Sequence, residues 1–235
     1  MDFSCKYCSG ICIKKGIRNG CQKLLCKGCN KHQQASYSNN AYQIDLDLWI
    51  FRYVKEGLGI RSISRILKIS TNTVLSRIST MANQIPRPSI LKGKTYEVDE
   101  LRTYIKFKRN LYWVISAYCR ETKEIVAFKV GKRNNKNLKV VIDSLLLSNA
   151  VKIYTDRLRN YISLIPRELH NVKKYSINHL ERWHLTMRTR LKRLNRKTIC
   201  YSKSLVLLYN HVKLLIWGEE KFFEYRLLSF WDDAT

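Results

Sequence analysis

From residue 95 onward the chain switches between two periodicities in an order that few folds accommodate. Residues 96–107, 111–119 and 124–130 are rich in aromatic and β-branched side chains, and Arg120-Glu121-Thr122-Lys123 separates the last two. This pattern predicts three antiparallel strands in a meander. Leu138, Val141, Ile142 and Leu145 then recur at helical spacing, which predicts a helix over 137–147. A fourth strand is predicted over 151–155 and a short fifth over 171–175. Helices close the segment over 179–196, with Leu180, His184, Met187, Leu191 and Leu194 on one stripe, and over 203–217.

Three strands, a helix, two strands and helices is the order of the ribonuclease-H-like fold, an α/β class with a mixed sheet and flanking helices. In that order the first and fourth strands are neighbours. Asp99 within the first and Asp156 at the end of the fourth can then meet, and the following helix delivers Glu181 from its first turn. Acids are scarce, 18 against 44 Lys and Arg, so three at such positions point to divalent-metal chemistry. Carboxylates converging on a pair of Mg²⁺ or Mn²⁺ ions are what two-metal phosphoryl transfer requires. Each acid also has a plainer reading. Glu97 shares the Asp99 face by strand alternation and is an alternative ligand, Asp156 suits a turn, and Glu181 suits a helix start. His184, Arg188 and Lys192 follow Glu181 at i+3, i+7 and i+11. With Arg193, they are the expected phosphate contacts beside the acids.

The formal net charge of +26 favours a polyanionic partner, DNA or RNA before an anionic membrane. Hydrophobic content of 45% supports a real core rather than a purely electrostatic RNA binder. The start Met1-Asp2-Phe3-Ser4-Cys5 has no secretory pattern. The apolar run 205–217 is broken by Asn210, His211 and Lys213 and is too short to span a bilayer. The expectation is a cytoplasmic, nucleoid-associated protein of a bacterium or archaeon, with no membrane partner.

Two modules precede the strands. In residues 1–40, Cys5-Lys6-Tyr7-Cys8 and Cys26-Lys27-Gly28-Cys29 have the spacing of a zinc ribbon, so Cys5, Cys8, Cys26 and Cys29 are expected to hold one structural Zn²⁺. Cys12, Cys21 and His32 are expected spectators, or a replacement for one ligand. Residues 41–82 predict a helix-turn-helix, with helices over 44–56, 61–68 and 71–79. Ser64 is the small residue at a close approach, Ser70 an N-cap, and Thr71, Asn72, Thr73 and Arg77 the outward face for DNA. A plain three-helix packing unit is the alternative. Residues 83–94, holding two of the three prolines, predict a linker to a catalytic domain over 95–235.

Taken together, these blocks resemble the DDE transposases of the insertion sequence 1 family. The resemblance runs through the ribbon, Gly57-Leu58-Gly59-Ile60-Arg61-Ser62-Ile63-Ser64-Arg65-Ile66-Leu67, Val98-Asp99-Glu100-Leu101 and Tyr154-Thr155-Asp156. Its most specific block is Leu180-Glu181-Arg182-x-His184-Leu185-x-x-Arg188-x-x-Leu191-x-Arg193-Leu194-x-Arg196-Lys197-Thr198, then Tyr201-Ser202-Lys203-Ser204. The resemblance implies Asp99, Asp156 and Glu181 as a metal-binding triad, with Arg188 as the recurring basic position. It also implies end-specific cleavage and strand transfer on double-stranded DNA. Arg157 departs from the glycine often found after the second Asp, and binding and catalytic parts share one continuous chain.

Two other functions fit part of the pattern: a DNA-binding regulator with an inert carboxy-terminal domain, and a structure-specific nuclease of the same fold. Tyr201 as a nucleophile is set aside, because the basic cluster of tyrosine recombinases is absent and the acids explain more. Holding two DNA ends implies a homo-oligomer, expected to be a dimer, in the DNA complex. The aromatic tail over 222–235 is expected to pack on the core.

Overall fold

Continuous burial of Val114 through Cys119 requires that both faces of the central strand be covered, and helices supply the cover. The computed structural model describes residues 3–36, 39–43, 45–173 and 176–223. Its larger sheet contains β5 (Thr95–Tyr104), β6 (Leu111–Cys119), β7 (Glu124–Gly131), β8 (Lys152–Thr155) and β9 (His170–Asn171). The strand order is β7-β6-β5-β8-β9. β5, β6 and β7 form the antiparallel meander, while β8 pairs parallel with both β5 and β9.

Strand alternation assigns each side chain to a layer. Tyr96, Val98, Ile115, Ala117 and Cys119 pack with α4 (Asn135–Leu146). Leu101, Val114 and Tyr118 pack on the other face, against α5 (Asn178–Arg190) and α6 (Leu205–Trp217). Glu97 and Asp99 therefore face α5.

Three helices precede the sheet: α1 (Leu46–Lys55), α2 (Ile60–Leu67) and α3 (Thr71–Gln84). Ser70 caps α3 by accepting from Thr73 N at 3.0 Å. Ser64 donates from its hydroxyl to the Ile69 carbonyl at 2.5 Å, so it locks the α2–α3 turn in addition to being small. Leu214 of α6 joins the core of these helices, and Asn210 bonds Ser79 at 3.2 Å, so α6 ties them to the sheet. Gly57, at φ +78°, packs against the carbonyl of Arg190 so closely that a Cβ there would clash. Phe223 is buried against Phe51, with ring centroids 4.6 Å apart, while residues 224–235 lie outside the described residues.

The amino-terminal sheet is β1 (Phe3–Ser4), β2 (Ile11–Arg18), β3 (Cys21–Cys26) and β4 (His32–Gln34), in sequence order. Among the described residues, its apolar core is Cys5, Cys12, Leu24 and Cys26, with Phe3 and Cys29 beside it. No helix among the described residues is long and apolar enough to cross a membrane.

The predicted elements and the observed ones differ most at two places. The helix expected over 179–196 ends at Arg190: Leu191 is extended, at φ −111° and ψ 93°, and Lys192–Leu194 is a separate 3₁₀ turn. The fifth strand, expected over 171–175, is His170–Asn171 among the described residues, and residues 174–175 lie outside them.

Candidate active site

Parallel pairing of β5 with β8 ends at Val98↔Thr155. The next residues on the two strands are Asp99 and Asp156, which are therefore neighbours where β8 turns away. Once β8 has left, the β5 edge is uncovered and Glu100 can also turn toward Asp156. Carboxylate oxygens of Asp99, Glu100 and Asp156 lie within 4.8 Å of one another. Asp156 accepts from Leu158 N at 2.9 Å through Oδ1, so it shapes its turn and joins the cluster at once. Glu100 accepts from the Tyr161 hydroxyl.

Crowding among these acids perturbs them. Burial first, opposed by the Tyr161 hydroxyl, then the charges of Asp99 and Asp156 push the Glu100 carboxyl up to about 7. Burial also raises Asp156; its bond from Leu158 opposes the rise and the Asp99 charge adds to it. A set of oxygen-only donors in mutual repulsion fits a hard divalent cation.

Glu181 stands in the first turn of α5, exposed, outside that close set. It lines a groove of 320 Å³ together with Asp156, Thr155, Arg157 and Lys173. The start of α5 is held by Glu97, which is fully buried. This carboxylate accepts from Arg120 Nε at 2.7 Å, from Leu180 N at 3.0 Å, and pairs with His179 Nδ1 at 2.7 Å. Glu97 thus shares the Asp99 face, as alternation requires, but is taken up by the helix start.

Further along α5, His184 is buried, with Nδ1 3.4 Å from Asp99 Oδ2. It backs an acid and is not on open surface. Arg188 is half-buried, and its Nε has no partner among the described residues. Arg188 lines a second groove, of 430 Å³, with Glu100, Arg102, Lys108 and Arg196. Lys192 and Arg193 lie past the helix break. They do not continue the Glu181 stripe and instead line a cavity with Gly57, Leu58, Gly59 and His211. Burial lowers the Arg193 guanidinium to about 10, which leaves it charged at neutral pH.

Among the helix-turn-helix residues, Thr71 and Asn72 at the start of α3 are exposed and Thr73 is half-buried. Arg77 turns inward to Asp47 at 3.4 Å and to the Ala41 carbonyl at 3.1 Å, so it braces α3 on α1.

The four knuckle cysteines form one cluster, with Sγ atoms of Cys5 and Cys29 3.6 Å apart and those of Cys8 and Cys26 3.5 Å apart. Tetrahedral coordination at the usual Zn–S length sets sulfurs about 3.8 Å apart, so the geometry suits a four-thiolate ion. The backbone N–H of Cys29 contributes most to pulling the Cys26 thiol down to about 6, against burial, with help from Cys8 and the Gly28 N–H. Cys12 lies in the small core outside the set.

Comparison with known proteins decides the family. The profile described as IS1 transposase matches residues 94–222, more than half of the chain. The chain belongs to the IS1 transposase family. Insertion element iso-IS1n protein InsB of Shigella dysenteriae is 32% identical over 108 residues, covering 46% of this chain and 82% of that protein. Insertion element IS1 4 protein InsB of Escherichia coli K12 is 33% identical over 111 residues, covering 47% of this chain and 66% of that protein. A chain from the simian T-cell lymphotropic virus intasome in complex with a PP2A regulatory subunit is 17% identical, with a TM-score of 0.35 over 70% of this chain and 64% of that one. A likeness that weak adds nothing to the assignment.

Proposed function

We propose that this family member is a DDE transposase that binds insertion-element ends and catalyses metal-dependent strand cleavage and strand transfer. The observation that carries the proposal is the meeting of Asp99 and Asp156 at the β5–β8 edge, with Glu181 lining a groove beside Asp156. In this reading the sheet is ribonuclease-H-like, and residues 95–235 are the catalytic domain. Mg²⁺ or Mn²⁺ ions held by Asp99, Asp156 and Glu181 would activate the attacking oxygen and neutralise the leaving one. Glu100 is a fourth carboxylate within reach of the same ions.

The remaining residues position DNA and the acids. Arg188, with Arg102, Lys108 and Arg196 around its groove, contacts the phosphates leading to the acids. His184 orients Asp99, and Glu97 fixes the turn that presents Glu181. The three-helix unit over 41–82 is the DNA-binding module, with Thr71, Asn72 and Thr73 toward the groove and Arg77 as a brace. The linker expected over 83–94 starts later than the sequence suggested, because α3 runs to Gln84 and Ile85 is buried in the core of the three helices. Cys5, Cys8, Cys26 and Cys29 hold a structural Zn²⁺ in the ribbon over 1–40, a basic surface for further phosphate contacts. Two copies, one at each element end, assemble on DNA inside the cell.

The test supplies a pre-cut element end with a free 3′-hydroxyl and a supercoiled target. Wild-type protein joins them in Mg²⁺, and Asp99→Asn or Glu181→Gln abolishes joining while retaining end binding. Cleavage of branched DNA without joining would favour a nuclease instead. Binding without either reaction would favour a regulator.

A further inference from the structure

α5 has two working flanks. At 100° per residue, Glu181, His184 and Arg188 lie on one side, and His179, Arg182, Trp183 and Thr186 on the opposite side. The second flank borders a groove of 410 Å³, closed by Tyr118, Arg120 and Lys123 at the end of the meander. That volume falls in the range of roughly 300–1,000 Å³ typical of small-ligand clefts.

The groove combines fixed rings with free cations. The His179 ring lies parallel to Tyr118, with centroids 5.7 Å apart and planes 7° apart. Its Nδ1 is tied to the buried Glu97 carboxylate, yet its side chain is 62% exposed. An exposed imidazole is therefore held in one orientation beside Tyr118. Trp183 is partly buried beside it, its ring anchored on the core under α5. Arg120 is engaged by Glu97, by the Ser176 carbonyl and over the Tyr154 ring. Arg182 and Lys123, by contrast, pair with no acid among the described residues. Glu97, a buried acid beneath the groove, is already paired with Arg120 and hydrogen-bonded to His179.

We propose that this groove binds one unpaired DNA nucleotide, its base stacked on His179 and Trp183 and its phosphate on Arg182 and Lys123. Ring faces accept any base, and cations beside them track the backbone, which is the chemistry of single-strand recognition. The choice of DNA rests on the transposase reading; the site itself does not. A strand passing over the first turn of α5 would have its backbone near Glu181 on one flank and an unstacked base held on the other.

Binding is measured on the full chain in magnesium-free buffer, where no cleavage occurs. The probes are a short oligothymidylate with a single 2-aminopurine, the same sequence as a duplex, and thymidine monophosphate alone. Wild-type protein should quench the single-stranded probe. Trp183→Leu and Arg182→Ala should each weaken that binding about tenfold, within the usual worth of one stacked base, and leave duplex affinity near wild type. Arg182 is exposed, so its variant keeps the test valid if Trp183→Leu fails to fold. Saturable binding of the monophosphate, lost in the same variants, would identify a site for free nucleotides and overturn the DNA-strand assignment. Unchanged single-strand binding in the folded variants would overturn the site. If joining of element ends works while the groove variants bind normally, only the groove proposal fails. If the groove binds as stated but no DNA is cut or joined, only the transposase reading fails.

Discussion

Replacing Glu97 with alanine removes the buried anchor of the helix that carries Glu181. The carboxylate makes three bonds, to Arg120 Nε at 2.7 Å, His179 Nδ1 at 2.7 Å and Leu180 N at 3.0 Å. The three partners fare differently once it is gone. Arg120 and His179 have side chains 29% and 62% exposed, so water reaches them and their loss is screened, about 1 kcal/mol together. The Leu180 N–H is buried and is left without an acceptor, which costs about 1–3 kcal/mol. The sum is roughly 3 kcal/mol, or a fall of about 6–12 °C in melting temperature for a chain of this size. Glu97→Gln keeps an acceptor for Leu180 and should lose about a third of that. Differential scanning calorimetry without DNA measures the stability, and joining of a pre-cut end, well below the melting point, measures whether Glu181 is still presented. Alanine should impair joining even where the protein is fully folded, and glutamine should recover most of it. Melting of Glu97→Ala within about 1 °C of wild type, with full joining, would refute the claim that Glu97 holds the start of α5.

The amino-terminal cluster should hold about one zinc per chain, read by metal analysis of purified protein; Cys26→Ser should lose it, and amides of β2 and β3 should then exchange rapidly. His211 is fully buried, and burial above all pulls its pKa down to about 3, so it is neutral in the folded chain. The unfolded imidazole takes up a proton near its ordinary pKa. This contribution is therefore present above about pH 6.5 and is lost as pH falls toward 3, on the order of 2 kcal/mol by pH 5. Glu100, raised to about 7, gains stability over the same fall in pH and opposes the loss. Urea unfolding at pH 7.5 and 5 is therefore compared between wild type and His211→Leu: relative to the variant, wild type should lose about 2 kcal/mol at pH 5. Gly57→Ala should destabilise by about 2 kcal/mol or more, since alanine at φ +78° is strained and its Cβ meets the Arg190 carbonyl; a urea midpoint equal to wild type would contradict this.

Local pattern was enough to find the meander, the Ser70 cap and the two cysteine knuckles, because each is written in residues close together in sequence. The neighbouring of Asp99 and Asp156 followed from strand order alone. Glu100 was harder to see. Alternation puts it on the α4 face, opposite Asp99, and it joins the cluster beyond the last β5–β8 pair, Val98↔Thr155, where the β5 edge is uncovered. The end of α5 at Arg190 was hidden for a similar reason. Arg190-Leu191-Lys192-Arg193 is a helix-favouring sequence, and the helix stops where Gly57, more than a hundred residues upstream, packs on the Arg190 carbonyl. Arg77 looked outward by helical position, but Asp47 on α1 takes it inward. Each of these was decided by a tertiary contact that has no local signature.

The central claim is that Asp99 and Asp156, with Glu181, carry out metal-dependent DNA chemistry. The most direct measurement is cleavage and joining of labelled element-end DNA by the full chain in Mg²⁺, wild type beside Asp156→Ala. The account predicts a cleaved and joined product from wild type only, with equal end binding by both proteins. Equal product from the two proteins, or none from wild type in either Mg²⁺ or Mn²⁺ despite tight binding, would contradict it.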